Sequence, residues 1–330
     1  MKKVKSAVAI SSLGLILLVS LGGFSHGVLQ VGFYRGKCEI VDVEMTVARV
    51  VTARFFRDPT IVPALLRLQF HDCFVNGCDA SILIDGSNSE KTAIPNLRLR
   101  GYDIIDEAKA AVDRVCPGVV SCADLIAIAA RDAVFWGGGG RCKVQTGRRD
   151  GLISLAENVS LFLLNPSDSV SQTIALFANK GLTATDMVLL MGAHSVGVAH
   201  CSSFIDRLYN FRNTSNPDPS IDPFLAPLLR FWCPENTTTN NRVSLDQNPS
   251  PFLDKSYYKQ LILNRGILKI DQELASDPLT RATVISLANV FDFPTQFGAA
   301  MVKMGGIEVL TGMQGEIRRS CTAINPSPST

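Results

Sequence analysis

Arg67-Leu-Gln-Phe70-His71-Asp72-Cys73-Phe-Val75-Asn-Gly77-Cys78-Asp79-Ala-Ser81 is the stretch on which the reading of this 330-residue chain turns. Arg67 and His71 are four apart, so on a helix they stand about 40° from one another and share a face. A base and a fixed cation then converge; the plainer alternative is a surface arginine beside a helix-capping histidine. Directly after them come Asp72, Asp79, Ser81 and a backbone turned by Gly77. That is an oxygen-rich supply of the kind Ca²⁺ takes, without the spacing of an EF-hand, and its alternative is a solvated acidic loop. Cys73 and Cys78 are placed to staple the loop, and Glu90 and Asn96 follow as hydrogen-bonding partners.

A second constellation is Met191-Gly-Ala-His194-Ser195-Val-Gly-Val-Ala-His200-Cys201, in which His194 ends a strongly apolar helix. Two readings stand for it. One is a core histidine with its hydrogen bonds satisfied; the other is a haem ligand, which needs one imidazole in an apolar cavity and an acceptor for its other nitrogen.

Outward from these motifs, helical periodicity dominates and the fold class is mainly α. Ile40, Val43, Val47, Val50 and Val51 recur at helix spacing up to Asp58-Pro59, and Pro63 opens a second helix through Leu66 and Phe70. Ile104, Ile105, Ala108, Val112 and Val115 form a third stripe, closed by Pro117-Gly118. Ser121, with Asp124 three residues on, starts a run that is apolar on all sides to Trp136 and is read as the buried central helix. Further helices are expected over 170–179 with Gly181 as stop, over 187–191 behind Thr183 and Asp186, and over 256–264, 279–290 and 294–304. Strand alternation is confined to 143–146 and a piece near Ile317. No repeat and no linker divides the chain, so residues 28–330 are read as one domain with a frayed tail after about 324.

Composition narrows the class. At 46% hydrophobic and 19% charged residues, the chain is too apolar for disorder and has the make-up of a globular protein. Met-Lys-Lys-Val-Lys, an uncharged apolar run from Ser6 to Gly23, and Ser25-His26-Gly27 read as a signal peptide over 1–27 rather than as an anchor, because no charged stop-transfer flank follows. Without Lys2, Lys3 and Lys5, 29 basic residues face 30 acidic ones, which gives no general affinity for nucleic acid. Nine cysteines and the sequons at Asn158, Asn213 and Asn236 fit an oxidising secretory route, with the protein extracellular, in the cell wall or vacuolar. His71, His194 and His200 are the histidines left beyond the leader, too few for a multi-histidine metal centre.

Together the two constellations are recognisable. From Leu29 to Cys321 the chain resembles the secretory plant (class III) haem peroxidases, the horseradish peroxidase type. The match is carried by Asp58-Pro-Thr-Ile-Val-Pro-Ala-Leu-Leu-Arg67, Phe70-His-Asp-Cys-Phe-Val-Asn-Gly-Cys-Asp79, Ser121-Cys-Ala-Asp-Leu125, Gly147-Arg-Arg-Asp-Gly151, Gly192-Ala-His-Ser-Val-Gly197 and Asp271-Gln-Glu273. The resemblance implies the plant peroxidase fold holding one haem b, hydrogen peroxide as oxidant and small aromatic donors such as phenols oxidised one electron at a time. It implies a monomer with neither nucleic-acid nor, after leader removal, membrane partner. Arg67, His71 and Asn96 would carry the peroxide chemistry, Phe70 would line the distal pocket, and His194 would bind iron with Asp271 behind it. Two calcium ions are implied as well. The distal one would be held by Asp72, Val75, Gly77, Asp79, Ser81 and, through water, Glu90. The proximal one would be held by Ser195, Asp246, Asp254 and the carbonyls of Pro249 and Phe252. The implied disulfides are Cys38 with Cys116, Cys73 with Cys78, Cys122 with Cys321 and Cys201 with Cys233, leaving Cys142 over. The chain departs from the family pattern at Ser195 and Pro249, where Thr is usual, at Glu39, where Pro is common, at Cys142, and at Leu164, which stands where a proline shapes the donor entrance.

Overall fold

The computed structural model describes residues 28–38, 41–236, 239–248 and 252–326. The leader, Glu39 and Pro249 lie outside the described residues. Helix α1 (Val43–Arg57) starts where Asp42 accepts a hydrogen bond from the Met45 N–H at 3.0 Å and stops at Asp58, ahead of Pro59. Helix α2 (Ile61–Val75) begins two residues before the expected Pro63, which sits in the first turn, where a missing N–H leaves no bond unmade. Helix α3 (Tyr102–Asp113) ends before Val115, which is exposed, so the third stripe is shorter than its periodicity. Helix α4 (Cys122–Trp136) is capped by Ser121 Oγ, which accepts from the Asp124 N–H at 3.1 Å. Asp124 does not return the bond as a capping box would. Its carboxylate instead accepts from the Tyr34 hydroxyl and pairs with Arg148 at 2.8 Å, all of it buried.

The remaining helices are α5 (Ala156–Phe162), α6 (Val170–Asn179), α7 (Ala184–Met191), α8 (Ile205–Tyr209), α9 (Leu225–Trp232), α10 (Ser256–Ile262), α11 (Lys269–Ser276), α12 (Arg281–Asn289) and α13 (Phe293–Met304). Capping boxes open α6 at Ser169/Gln172 and α7 at Thr183/Asp186. The sequence pattern did not show α5, α8, α9 or α11, which are short or too polar to print a full stripe. Sheet structure is slight. Strand β1 (Gln30–Val31) pairs antiparallel with β2 (Gln145–Thr146), so the expected strand is confined to its last two residues. Strand β3 (Val198–His200) pairs with β4 (Arg242–Ser244) in register Val198↔Ser244, a ladder not anticipated. Near Ile317 there are isolated bridges, Glu316 with Asp150 and Ser320 with Ala323, rather than a strand.

Two cores meet at α2. One face of that helix, with Ile61, Leu65 and Leu68, packs with α1, α3 and α4; the other, with Val62, Leu66 and Phe74, packs with α6, α7 and α10 to α13. The helix carrying Arg67 and His71 is therefore the seam of the molecule. The disulfides formed are Cys38–Cys116, Cys73–Cys78, Cys122–Cys321 and Cys201–Cys233, the pairs the resemblance implied, and Cys142 is a free thiol. Among the described residues no single helix is long and apolar enough to cross a membrane.

Candidate active site

The hydrogen bonds of the distal side form a chain that fixes one proton. Asn96, on a short 3₁₀ turn, donates from Nδ2 to the Glu90 carbonyl at 2.8 Å, which orients its amide. Its Oδ1 therefore faces His71 Nδ1 at 2.6 Å and accepts from it. The proton of neutral His71 is held on Nδ1, and Nε2 is left as a lone pair. Arg67 donates to that nitrogen from Nε at 3.1 Å and from its other arm to the Pro95 carbonyl at 2.9 Å. Burial, then the Arg67 charge, push the His71 pKa down to about 3, against the small upward pull of Asn96. A neutral imidazole whose Nε2 lone pair accepts from Arg67 is the result. Phe70 lies against Phe74, ring centres 4.3 Å apart, and meets His71 edge-on at 5.8 Å.

Across the seam, His194 stands on a 3₁₀ turn, Gly192–Ser195, that continues α7, not in the helix proper as its sequence setting indicated. Gly197, two residues beyond that turn, has φ of +91°, and a Cβ there would lie 2.9 Å from Pro63 of α2, so the two sides approach closely. His194 Nδ1 is 2.8 Å from Asp271 Oδ1, and Asp271, in the first turn of α11, is fully buried. Burial disfavours protonation of His194, but the Asp271 charge and hydrogen bond more than reverse this and raise its pKa, with Arg67 opposing from the other side. The His194 side chain nonetheless keeps 29% of its surface accessible, and its Nε2 has no hydrogen-bond partner among the described residues. A ring held at one nitrogen and open at the other fits a haem ligand.

The oxygens in the last turn of α2 and in the segment beyond it are short of hydrogen-bond donors. Asp72 Oδ2 accepts from the Ala80 N–H at 3.1 Å, Asp79 Oδ1 from the Ser81 N–H at 2.9 Å, and Glu90 Oε1 from Asn76 Nδ2 at 2.7 Å. Asp72 Oδ1, Ser81 Oγ and Glu90 Oε2 are buried with no partner. Ser81 is near enough to Glu90 to favour its charge, although the two form no well-aligned hydrogen bond. Burial raises the pKa of Asp79 to about 6 and of Glu90 to about 8, and burial with the neighbouring Asp79 raises Asp72. A cation would relieve all three, so the donor set fits Ca²⁺. Among the described residues no three His, Cys, Asp or Glu side chains could hold a metal by themselves, so hydroxyl and carbonyl oxygens would have to complete the shell. The Val75 carbonyl is also approached by Lys180 Nζ at 3.4 Å, which leaves it a second lone pair.

On the proximal side, Ser195 Oγ accepts from the Asp254 N–H at 3.3 Å. Asp246 has one oxygen on the Asn248 N–H at 2.7 Å and the other buried without a partner, and burial pushes its pKa up to about 6. These residues converge as a second, sparser oxygen cluster. Leu164 is half-buried at the edge of the core, in a segment tied to α11 by the Ile270 N–H donating to the Pro166 carbonyl at 3.2 Å. Surface clefts of about 230 Å³ beside Cys142 and about 260 Å³ beside Tyr34 contain none of the site residues. Two participants escaped the sequence reading: Asn76, which holds Glu90, and Tyr257, which donates to Asp271 at 2.8 Å. Both make contacts whose partners lie more than ten residues away, and no local pattern signals them.

A base with a fixed tautomer facing an imidazole backed by carboxylate is the arrangement of a haem peroxidase, and the family description "Peroxidase" matches residues 47–290. The chain belongs to the peroxidase family, among the plant class III haem peroxidases. It is 49% identical to Peroxidase 60 of Arabidopsis thaliana over 98% of this chain and 99% of that protein. To Peroxidase 57 of Arabidopsis thaliana it is 46% identical, covering 94% and 97% of the two chains, and to Peroxidase N1 of Nicotiana tabacum 46%, covering 90% of each. It is therefore an enzyme, a haem peroxidase that uses hydrogen peroxide and a reducing substrate.

Proposed function

We propose that the chain, secreted after loss of residues 1–27 and acting through residues 28–330 as one monomeric unit, reduces hydrogen peroxide and oxidises phenolic or similar aromatic donors by single electrons. His194 Nε2 would bind the haem iron, and haem so held supplies the redox centre that takes two oxidising equivalents from peroxide and returns them to donors singly. His71 Nε2 takes the proton from the near peroxide oxygen and returns it to the far one, so that the far oxygen leaves as water. Arg67, on the same face, offsets the negative charge that grows as the O–O bond breaks. Asn96 keeps the His71 proton on Nδ1, so that Nε2 carries the lone pair that acts as base. Asp271 makes His194 a stronger electron donor.

The distal calcium ion would sit among Asp72, Asp79, Ser81 and the Val75 and Gly77 carbonyls, with Glu90 reached through water. The proximal ion would sit among Ser195, Asp246, Asp254 and the Phe252 carbonyl, with the carbonyl of Pro249. Leu164 would face the donor. The observation that carries the reading is the Glu90–Asn96–His71 chain, because it leaves a lone pair on the one nitrogen that Arg67 also addresses. The test is stopped-flow measurement of the reaction between enzyme and peroxide in His71→Ala. A loss of about 10² to 10⁴ in rate is expected for removal of a general acid-base; a wild-type rate would refute the role.

A further inference from the structure

Asp271 is fully buried, and both of its donors address a single oxygen. His194 Nδ1 lies 2.8 Å from Oδ1, the Tyr257 hydroxyl donates to the same Oδ1 at 2.8 Å, and Oδ2 is buried with no partner. Tyr257, on α10, is itself 1% exposed, and its ring meets His194 edge-on with centres 6.1 Å apart. Two donors on one oxygen draw on the same electron density. The phenol therefore weakens Asp271 as an acceptor for histidine and limits how far the Nδ1 proton leans toward the carboxylate.

We propose that Tyr257 is a positioning residue that, by sharing Asp271 Oδ1, restrains the electron-donor strength of His194 toward the haem iron. The inference rests on His194 being the iron ligand. With the hydroxyl removed, the carboxylate becomes more basic, the histidine gains imidazolate character, and the ferric state is favoured.

In the holoenzyme, Tyr257→Phe should move the Fe(III)/Fe(II) equilibrium toward ferric by up to about tenfold, which is ~59 mV to the negative for one electron. The iron–histidine stretching frequency of the reduced enzyme should rise with it. Asp271→Asn should shift both quantities in the opposite sense. Tyr258→Phe, whose hydroxyl donates to the Val188 and Leu189 carbonyls, should shift neither. If Asp271→Asn shifts the potential and Tyr257→Phe leaves it unchanged or moves it positive, the role of Tyr257 is overturned and the ligand assignment stands. If neither variant shifts it, both fall. Should Tyr257→Phe not fold, 3-fluorotyrosine incorporated into the Tyr258→Phe protein strengthens the phenol as a donor and must move the potential positive; no movement overturns the proposal.

Discussion

Replacing Asn96 by Leu tests the distal chain most directly. Asn96 is 2% exposed and His71 4%, so no solvent stands ready to take over the lost bond. Leucine matches asparagine in branching and in its number of side-chain heavy atoms, although its methyl groups are bulkier, and it leaves the Nδ1–H of His71 without its 2.6 Å acceptor. A buried donor so stranded costs about 1–3 kcal/mol. The other tautomer offers no refuge, since a proton on Nε2 would point at the Arg67 Nε–H, 3.1 Å away. The imidazolium that forms as His71 takes the peroxide proton needs that acceptor more than the neutral ring does, so an extra loss of about 1–3 kcal/mol falls on the transition state, and at ~1.36 kcal/mol per decade the rate with peroxide should fall by about fivefold to about 150-fold. Stopped-flow mixing of the haem-loaded variant with peroxide measures it, and the melting temperature should drop as well. Asn96→Asp keeps an oxygen in place and should recover most of the rate. Equal rates for the Leu variant and wild type, or equal losses for Leu and Asp, would refute the argument.

His194→Ala should lose most bound haem, measured by the haem absorbance that copurifies with the protein; normal haem content in that variant would remove His194 from the iron. Chelation of calcium should lower activity and melting temperature together, because an ion bound only by the native state stabilises it by mass action. Metal analysis that finds a single ion should find it at the distal cluster, and full activity in calcium-free protein would contradict the coupling. Leu164→Pro fixes a φ that leucine leaves open and removes a backbone N–H, so it should change the apparent affinity for bulky aromatic donors and spare the reaction with peroxide. Identical donor profiles for the two proteins would show that residue 164 does not shape the entrance.

The parts of the site that were legible in the sequence are those written within one element or one family motif. Arg67 and His71 share a face because they are four apart in a helix whose apolar periodicity is plain. Asp271 is the opposite case. Its helix, α11, buries little beyond Ile270, Gln272 and Leu274 and shows no amphipathic stripe long enough to read, so only family likeness pointed to it. Its meeting with His194 spans 77 positions and is made by tertiary packing. Local preference also misled at the boundaries: Val115 continues a helical stripe on paper, yet the chain leaves α3 before it to bring Cys116 to Cys38. The β3–β4 ladder was invisible because a strand of three residues is too short for alternation to register.

The strap that closes the distal loop comes from the far end of the chain. Arg318 donates to the carbonyls of Asp79 and Cys321, and Cys321 is bonded to Cys122 across 199 positions. During synthesis the N-terminal helices can collapse as soon as they emerge, since nascent chains fold from that end first. The Asp72–Ser81 segment then waits, without its cover, until Arg318 has been made, 239 positions after Asp79. Assembly of the distal side is consequently completed late, and a product released before Arg318 carries every distal residue named above and lacks the clasp that holds them together.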